Sequence, residues 1–109
     1  MTKYRAKKVT TADGTFDSKA ELAHWGELKW RERAGEISHL KRQVKYSINV
    51  EGEHICDYYA DFVYYDKATL QTLTIDVKGY KTDAYRLKAK LMKAVYGITI
   101  LEVAAKRRR

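Results

Sequence analysis

Asp61, Asp76 and Lys78 stand inside strand-like runs of the stretch "YYADFVYYDKATLQTLTIDVKGYKT", residues 58 to 82. Strand interiors disfavour Asp and Lys, so each needs either solvent or a chemical task. A hairpin centred between Ala68 and Thr69 sets Asp61 opposite Asp76. Lys78, two residues on, shares the face of Asp76 because strand side chains alternate. Opposed carboxylates repel unless a cation lies between them. A hard ion such as Mg²⁺ takes one or two carboxylates, waters and a phosphate oxygen, which is the setting of phosphoryl transfer. Lys78 would then position a water or stabilise developing negative charge. The bland alternative is a solvated face with Lys78 as a simple ion-pair partner, and a D-x-K tripeptide alone favours it.

The elements that must hold these residues can be read from periodicity and caps. "TADGTF" (11 to 16) reads as a turn and "SKAELAHWGELKWRERAG" (18 to 35) as a helix. Ser18 as N-cap with Glu21 three residues on has capping-box spacing, and Gly35 suits the helix end. Leu22, Trp25 and Leu28 supply its apolar stripe, with Trp25 and Trp30 expected to pack it down. Residues 43 to 50 alternate as a half-buried strand, 51 to 54 turn, and 55 to 65 and 70 to 79 are strands joined by a turn at 66 to 69. Residues 82 to 97 form a second helix, capped by Thr82 or Asp83 and closed by Gly97, and 98 to 103 a short strand. The order α-β-β-β-α-β predicts an α/β fold, a mixed α+β sheet flanked by helices.

Composition bounds the function. A chain of 109 residues with 45% hydrophobic and 33% charged residues makes one domain, and no apolar run approaches the ~20 residues of a membrane span. The basic start "MTKYRAKKV" is followed by no apolar signal region, and a lone Cys56 allows no internal disulfide, so a reducing cytoplasm is expected. No Gly-rich phosphate loop is present, which argues against an ATP-driven enzyme. Net charge is +8, and the ends hold Lys3, Arg5, Lys7 and Lys8, then Lys106, Arg107, Arg108 and Arg109, without an acid. This predicts a basic arm (1–15), a single domain (16–105) and a basic tail (106–109), a distribution suited to phosphate backbones. Lys81, Arg86, Lys88, Lys90 and Lys93 follow the third strand, and Arg86, Lys90 and Lys93 share a helix face as a phosphate ridge. The opposite side, Leu87, Leu91, Ala94 and Val95, is expected to pack on the sheet. The tyrosines crowding residues 58 to 65 read as packing before base stacking.

Asp61 in "ADF" and Asp76 with Lys78 in "IDVKG", in that order of elements, resemble the PD-(D/E)XK nuclease superfamily. The segments "FDSKAE", "LKRQ", "ADFVY", "DVKGYKTDAY" and "LKAKLM" look like its small phage-type endonuclease branch, from about Phe16 to Val103. Asp76 stands where Glu is usual before x-Lys, and Ala60 stands where the motif has proline. The resemblance implies a restriction-endonuclease-like core and a Mg²⁺-dependent DNA endonuclease, Mn²⁺ substituting, in a phage-infected or prophage-bearing cell. Asp61, Asp76 and Glu21 would be metal ligands and Lys78 the catalytic lysine. Glu21 is equally explained as the helix cap partner of Ser18. Gln43 is similar to a polar residue that leans into the site in some members. A turn centred at Gly52 pairs positions 43 and 61, whereas a centre one half-step later pairs Val44 with Asp61, and "EGEH" permits either.

One domain has room for one site, so cutting two strands, or opposite strands of a branched junction, calls for a homodimer. RNA shares the chemistry. The rival from another class is a phage protein of the same fold that grips nucleic acid or a host protein without cleaving.

Overall fold

The structure is a computed structural model and describes residues 8–105. Lys3, Arg5 and Lys7, and likewise Lys106, Arg107, Arg108 and Arg109, lie outside the described residues. Eight elements follow one another: β1 (Val9–Thr11), β2 (Gly14–Phe16), α1 (Lys19–Arg33), β3 (Ile37–Val50), β4 (Glu53–Asp66), β5 (Gln71–Lys78), α2 (Asp83–Tyr96) and β6 (Leu101–Ala104). The main sheet runs β3-β4-β5-β6, antiparallel except for the parallel β5–β6 pair, so the expected mixed sheet with two helices is observed.

Four elements differ from expectation, the last of them β6, which starts at Leu101, three residues after the expected 98. From Val9 onward the expected arm and turn are a hairpin, β1 paired with β2. Phe16 at its end is fully buried, and the Arg42 guanidinium lies 4.0 Å over its ring. Gly14 has φ +122, and a Cβ there would come within 3.1 Å of Arg42 Nη1, so this corner requires glycine. β3 starts at Ile37, six residues before the predicted strand, because positive φ at His39 and Gln43 interrupts the alternation. The inner face of α2 is Tyr85, Ala89 and Met92, a stripe at i, i+4, i+7, whereas Leu87 is 59% and Val95 39% exposed. The predicted face of Leu87, Ala94 and Val95 therefore points outward, and of that set Leu91 alone packs, partly, on the core.

α1 begins as its sequence dictates. Ser18 Oγ accepts from the Glu21 N–H at 3.1 Å, and Gly35 follows the C-cap with φ +84. Such a cap stabilises a helix by about 1 kcal/mol. Leu28 is buried and Trp25 stacks on Phe62 at 5.8 Å, but Trp30 does not pack down: it is 69% exposed, with Arg33 over its ring.

The core divides in two. Leu28, Ile37, Phe62, Tyr64 and Ile75 meet α1, while Ile48, Tyr58, Ala60, Tyr85, Met92 and Ile100 meet α2. Ala60 and Phe62 thus serve different clusters although alternation would put them on one face. Leu40 and Tyr46 divide in the same way on β3. The β3–β4 ribbon changes faces at Gln43 and Asp61, and the polar site lies at this crossover.

Register brings those two residues together. Glu51 and Gly52 both have positive φ, forming a two-residue turn between the paired Val50 and Glu53. A bulge between Ile48 and Asn49 then leaves Ile55 unpaired and shifts the ladder by one, so that pairs Arg42↔Phe62 and Val44↔Ala60 flank Gln43 and Asp61. On the other edge, β4 pairs with β5 from Asp66↔Gln71 to Phe62↔Ile75, the register expected from a turn centred between Ala68 and Thr69. The ladder stops one pair short of Asp61 and Asp76.

Candidate active site

Where the ladder stops, a side chain takes over. Asp61 Oδ2 accepts the Val77 N–H at 2.8 Å, replacing a backbone carbonyl and drawing the carboxylate against β5. Its Oδ1 accepts from Gln43 Nε2 at 3.3 Å, and the same amide reaches Glu21 Oε2 at 3.1 Å. The αL backbone of Gln43, φ 53, is what aims this side chain into the site. Gln43 therefore belongs to the site, and Glu21 joins Asp61 through it.

Asp76 forms the other half. It is 3% exposed, accepts from the Tyr58 hydroxyl at 2.5 Å through Oδ2, and has Lys78 Nζ 3.3 Å from Oδ1. Lys78 lies 4.1 Å over the Tyr85 ring, whose hydroxyl donates to Glu102. The aromatic face holds the ammonium at the cleft while leaving its charge available. Glu102 is itself held by Lys81 at 2.6 Å, and these two donors keep its carboxyl below the ordinary range. Lys81 is thereby a partner of Glu102.

Electrostatics sharpen the picture. Burial, then the charge of Asp76, push the Asp61 carboxyl up to about 8. Burial also raises Glu21, which is 2% exposed and has Arg42 at 3.8 Å. The Tyr58 phenol is pushed up by burial and by its bond to Asp76. Among the described residues, Asp61 and Asp76 share the one close ammonium, that of Lys78 on Asp76.

Each oxygen of Asp61 and Asp76 has one described polar partner, and a carboxylate oxygen has two lone pairs, so both carboxylates keep a site for a further donor or cation. The all-oxygen donor set suits a hard divalent ion. Among the described residues no three His, Cys, Asp or Glu side chains converge as a ready-made chelate. Glu21 is separated from the pair by the Gln43 amide and donates no third ligand in this arrangement; it also accepts the Asp17 N–H at 2.9 Å, so it ties down the residue before the N-cap in place of Ser18's own N–H.

The cleft measures about 400 Å³ and is lined by Asp17, Gln43, Tyr58, Tyr59, Asp61, Asp76, Lys78, Thr82, Ala84, Tyr85 and Lys88. Of the predicted helix cations only Lys88 lines it. Lys90 and Lys93 line a separate groove with Thr99, Ile100 and Glu102. At 3.6 residues per turn the exposed ridge Arg86, Lys90 and Lys93 lies on the flank opposite Lys88, away from the acidic cleft. Tyr58, Tyr85 and Arg42 are site residues that sequence patterns missed. A tyrosine in a strand, as Tyr58, or in a helix, as Tyr85, reads as packing, and nothing in "LKRQ" distinguishes Arg42 from a solvated cation.

The sequence model of a family described as "Protein of unknown function (DUF1064)" matches residues 1–107. The chain belongs to this family. No curated protein and no solved structure matches it. For this DUF1064 member the cleft is thus read from its own residues. Among the described residues, no helix is long and apolar enough to cross a membrane.

Proposed function

We propose that the protein is a metal-dependent DNA endonuclease of the PD-(D/E)XK kind, hydrolysing phosphodiester bonds at the Asp61–Asp76–Lys78 cleft. The observation that carries this reading is the convergence of a buried carboxylate (Asp76), a half-buried one (Asp61) and a lysine at the end of the β4–β5 ladder, with Asp61 pushed up to about 8. Two carboxylates crowded into one cleft destabilise a fold unless one takes a proton or a cation joins them, so their juxtaposition favours a cationic ligand.

Asp61 and Asp76 would hold Mg²⁺, with Mn²⁺ able to substitute. When bound, such an ion polarises the scissile phosphate and acidifies an attached water. The protein's own groups do the rest. The Val77 N–H and Gln43 amide fix both oxygens of Asp61, and the Tyr58 hydroxyl fixes Asp76. Lys78, supported by Tyr85, places its ammonium where negative charge develops on the phosphoryl oxygens and can hydrogen-bond the incoming water. Glu21 orients Gln43. Lys88, on the cleft wall, is placed to meet a non-bridging phosphate oxygen. Cleavage of both strands of a duplex or junction would use two copies of this single site.

The test is incubation of labelled duplex, single-stranded and four-way-junction DNA, and of RNA, with Mg²⁺, Mn²⁺ or EDTA. Metal-dependent cutting that disappears in Asp76→Ala supports the reading. Binding without cutting in either metal replaces it with a non-cleaving nucleic-acid-binding protein.

A further inference from the structure

Beyond the crossover, the strand that carries Asp61 continues on the same face with Val63 and Tyr65. There a groove of about 440 Å³ is lined by His39, Lys41, Val63, Tyr64, Tyr65 and Thr72. Register sets Lys41 beside Val63 and Thr72 four residues along β4 from Asp61, beside Tyr65. The groove thus starts two residues from the acidic cleft and runs away from it across β3, β4 and β5. Asp61 to Tyr65 spans about 13 Å, the rise of roughly four nucleotides in a duplex strand.

Its chemistry is the reverse of the cleft's. No carboxylate lines it. Among the described residues Lys41 forms no ion pair, whereas Lys45, four residues on along the same strand, is paired with Asp57 at 3.7 Å. His39 reaches the groove because a second bulge lies between Ser38 and Lys41, where His39 takes φ 56, a conformation uncommon outside glycine. Its Nδ1 is within 3.0 Å of Ser38 Oγ. Tyr65 and Thr72 add a ring and a hydroxyl.

We infer that this groove, and not the Arg86–Lys90–Lys93 flank of α2, carries the nucleic-acid strand that runs from the cleft. Lys41 and His39 meet backbone phosphates and Tyr65 offers a stacking surface. The direction of the path rests on the phosphodiester reading of the cleft. Charge complementarity with a polyanion and continuity with the Asp61 face identify the occupant.

The experiment measures binding of labelled single- and double-stranded oligonucleotides by fluorescence anisotropy in EDTA across a salt series, with circular dichroism as a folding check. Lys41→Gln is expected to weaken binding several-fold for every sequence and to lower the salt slope by about one, Lys41→Arg to restore both, and Lys45→Gln to stay within about twofold of wild type. Tyr65→Ala should weaken single strands more than duplex. An unchanged affinity and slope in folded Lys41→Gln overturns the inference. Cleavage is assayed separately with Mg²⁺. Metal-dependent cutting with normal Lys41→Gln affinity discards the groove and keeps the nuclease; weakened binding without cutting keeps the groove and discards the nuclease; no binding by the wild-type protein discards the groove as well.

Discussion

Asp61 and Asp66 stand five residues apart on strand β4, and the fold treats them oppositely. Asp66 closes the ladder at the turn, accepts from Thr69 Oγ1 at 2.7 Å and from the Thr69 N–H at 3.3 Å, and has Arg31 3.6 Å away. The Thr69 hydroxyl foremost, with Arg31, holds its carboxyl below the ordinary range. Asp61, beyond the other end of the same ladder, is raised by burial and by the neighbouring Asp76. Residue type and strand are the same, but one carboxylate is supplied with donors by the local chain and the other is crowded by a second acid. Structural aspartates are compensated; an aspartate left under-compensated inside a cleft is waiting for a partner from solution.

The largest expected effect separates the two ends outright. Asp76→Ala should lower metal-dependent cleavage at least ~10³-fold, about 4 kcal/mol of transition-state stabilisation, while Asp66→Ala retains cleavage in a gel assay at a temperature where it is folded. Comparable losses from both would erase the contrast.

Gln43→Ala comes next. It leaves Asp61 and Asp76 in place and removes the amide that holds Asp61 and joins it to Glu21, so a loss of roughly 10- to 100-fold in rate or in Mg²⁺ affinity by calorimetry is expected. A variant indistinguishable from wild type would detach Gln43 and Glu21 from the site.

The pH dependence of stability sharpens the comparison through its sign. The folded value of Asp61 is raised, so its contribution is fully present below the unfolded value near 3.8 and is lost as pH rises toward about 8. In EDTA the melting temperature should fall by several degrees between pH 5 and pH 8, and Asp61→Asn should flatten that curve and melt above wild type at pH 8. Asp61→Asn melting lower there would mean that the fold already compensates the carboxylate. Asp66 has the opposite sign: its contribution is present above the unfolded value and lost as pH falls through the lower folded one. Asp66→Ala should therefore melt a few degrees lower at pH 7, by scanning calorimetry, with the gap closing in acid.

Much of this was legible in the chain. Local signals carried the β4–β5 turn, the Ser18 cap and the end of α2 at Gly97, because caps and turns depend on few neighbours. The Asp61–Asp76 meeting followed from that turn. Legibility failed where the backbone leaves regular geometry. His39 and Gln43 break the period of two and hide the first six residues of β3, and the unpaired Ile55 leaves the pairing of 43 with 61 open in the sequence. It failed also on α2, where four apolar residues on one side outweighed the narrower Tyr85–Ala89–Met92 stripe. Tyr58 shows the remaining limit: its packing and its hydroxyl bond to Asp76 are both true, and only three dimensions reveal the second.

The Val77 N–H bound to Asp61 Oδ2 gives the protein a built-in spectroscopic gauge. An amide proton shared with a carboxylate resonates differently once that oxygen takes a proton or a cation. A single cross-peak in a ¹H–¹⁵N spectrum, followed through a titration, would thus register the charge state of the cleft before any substrate is added.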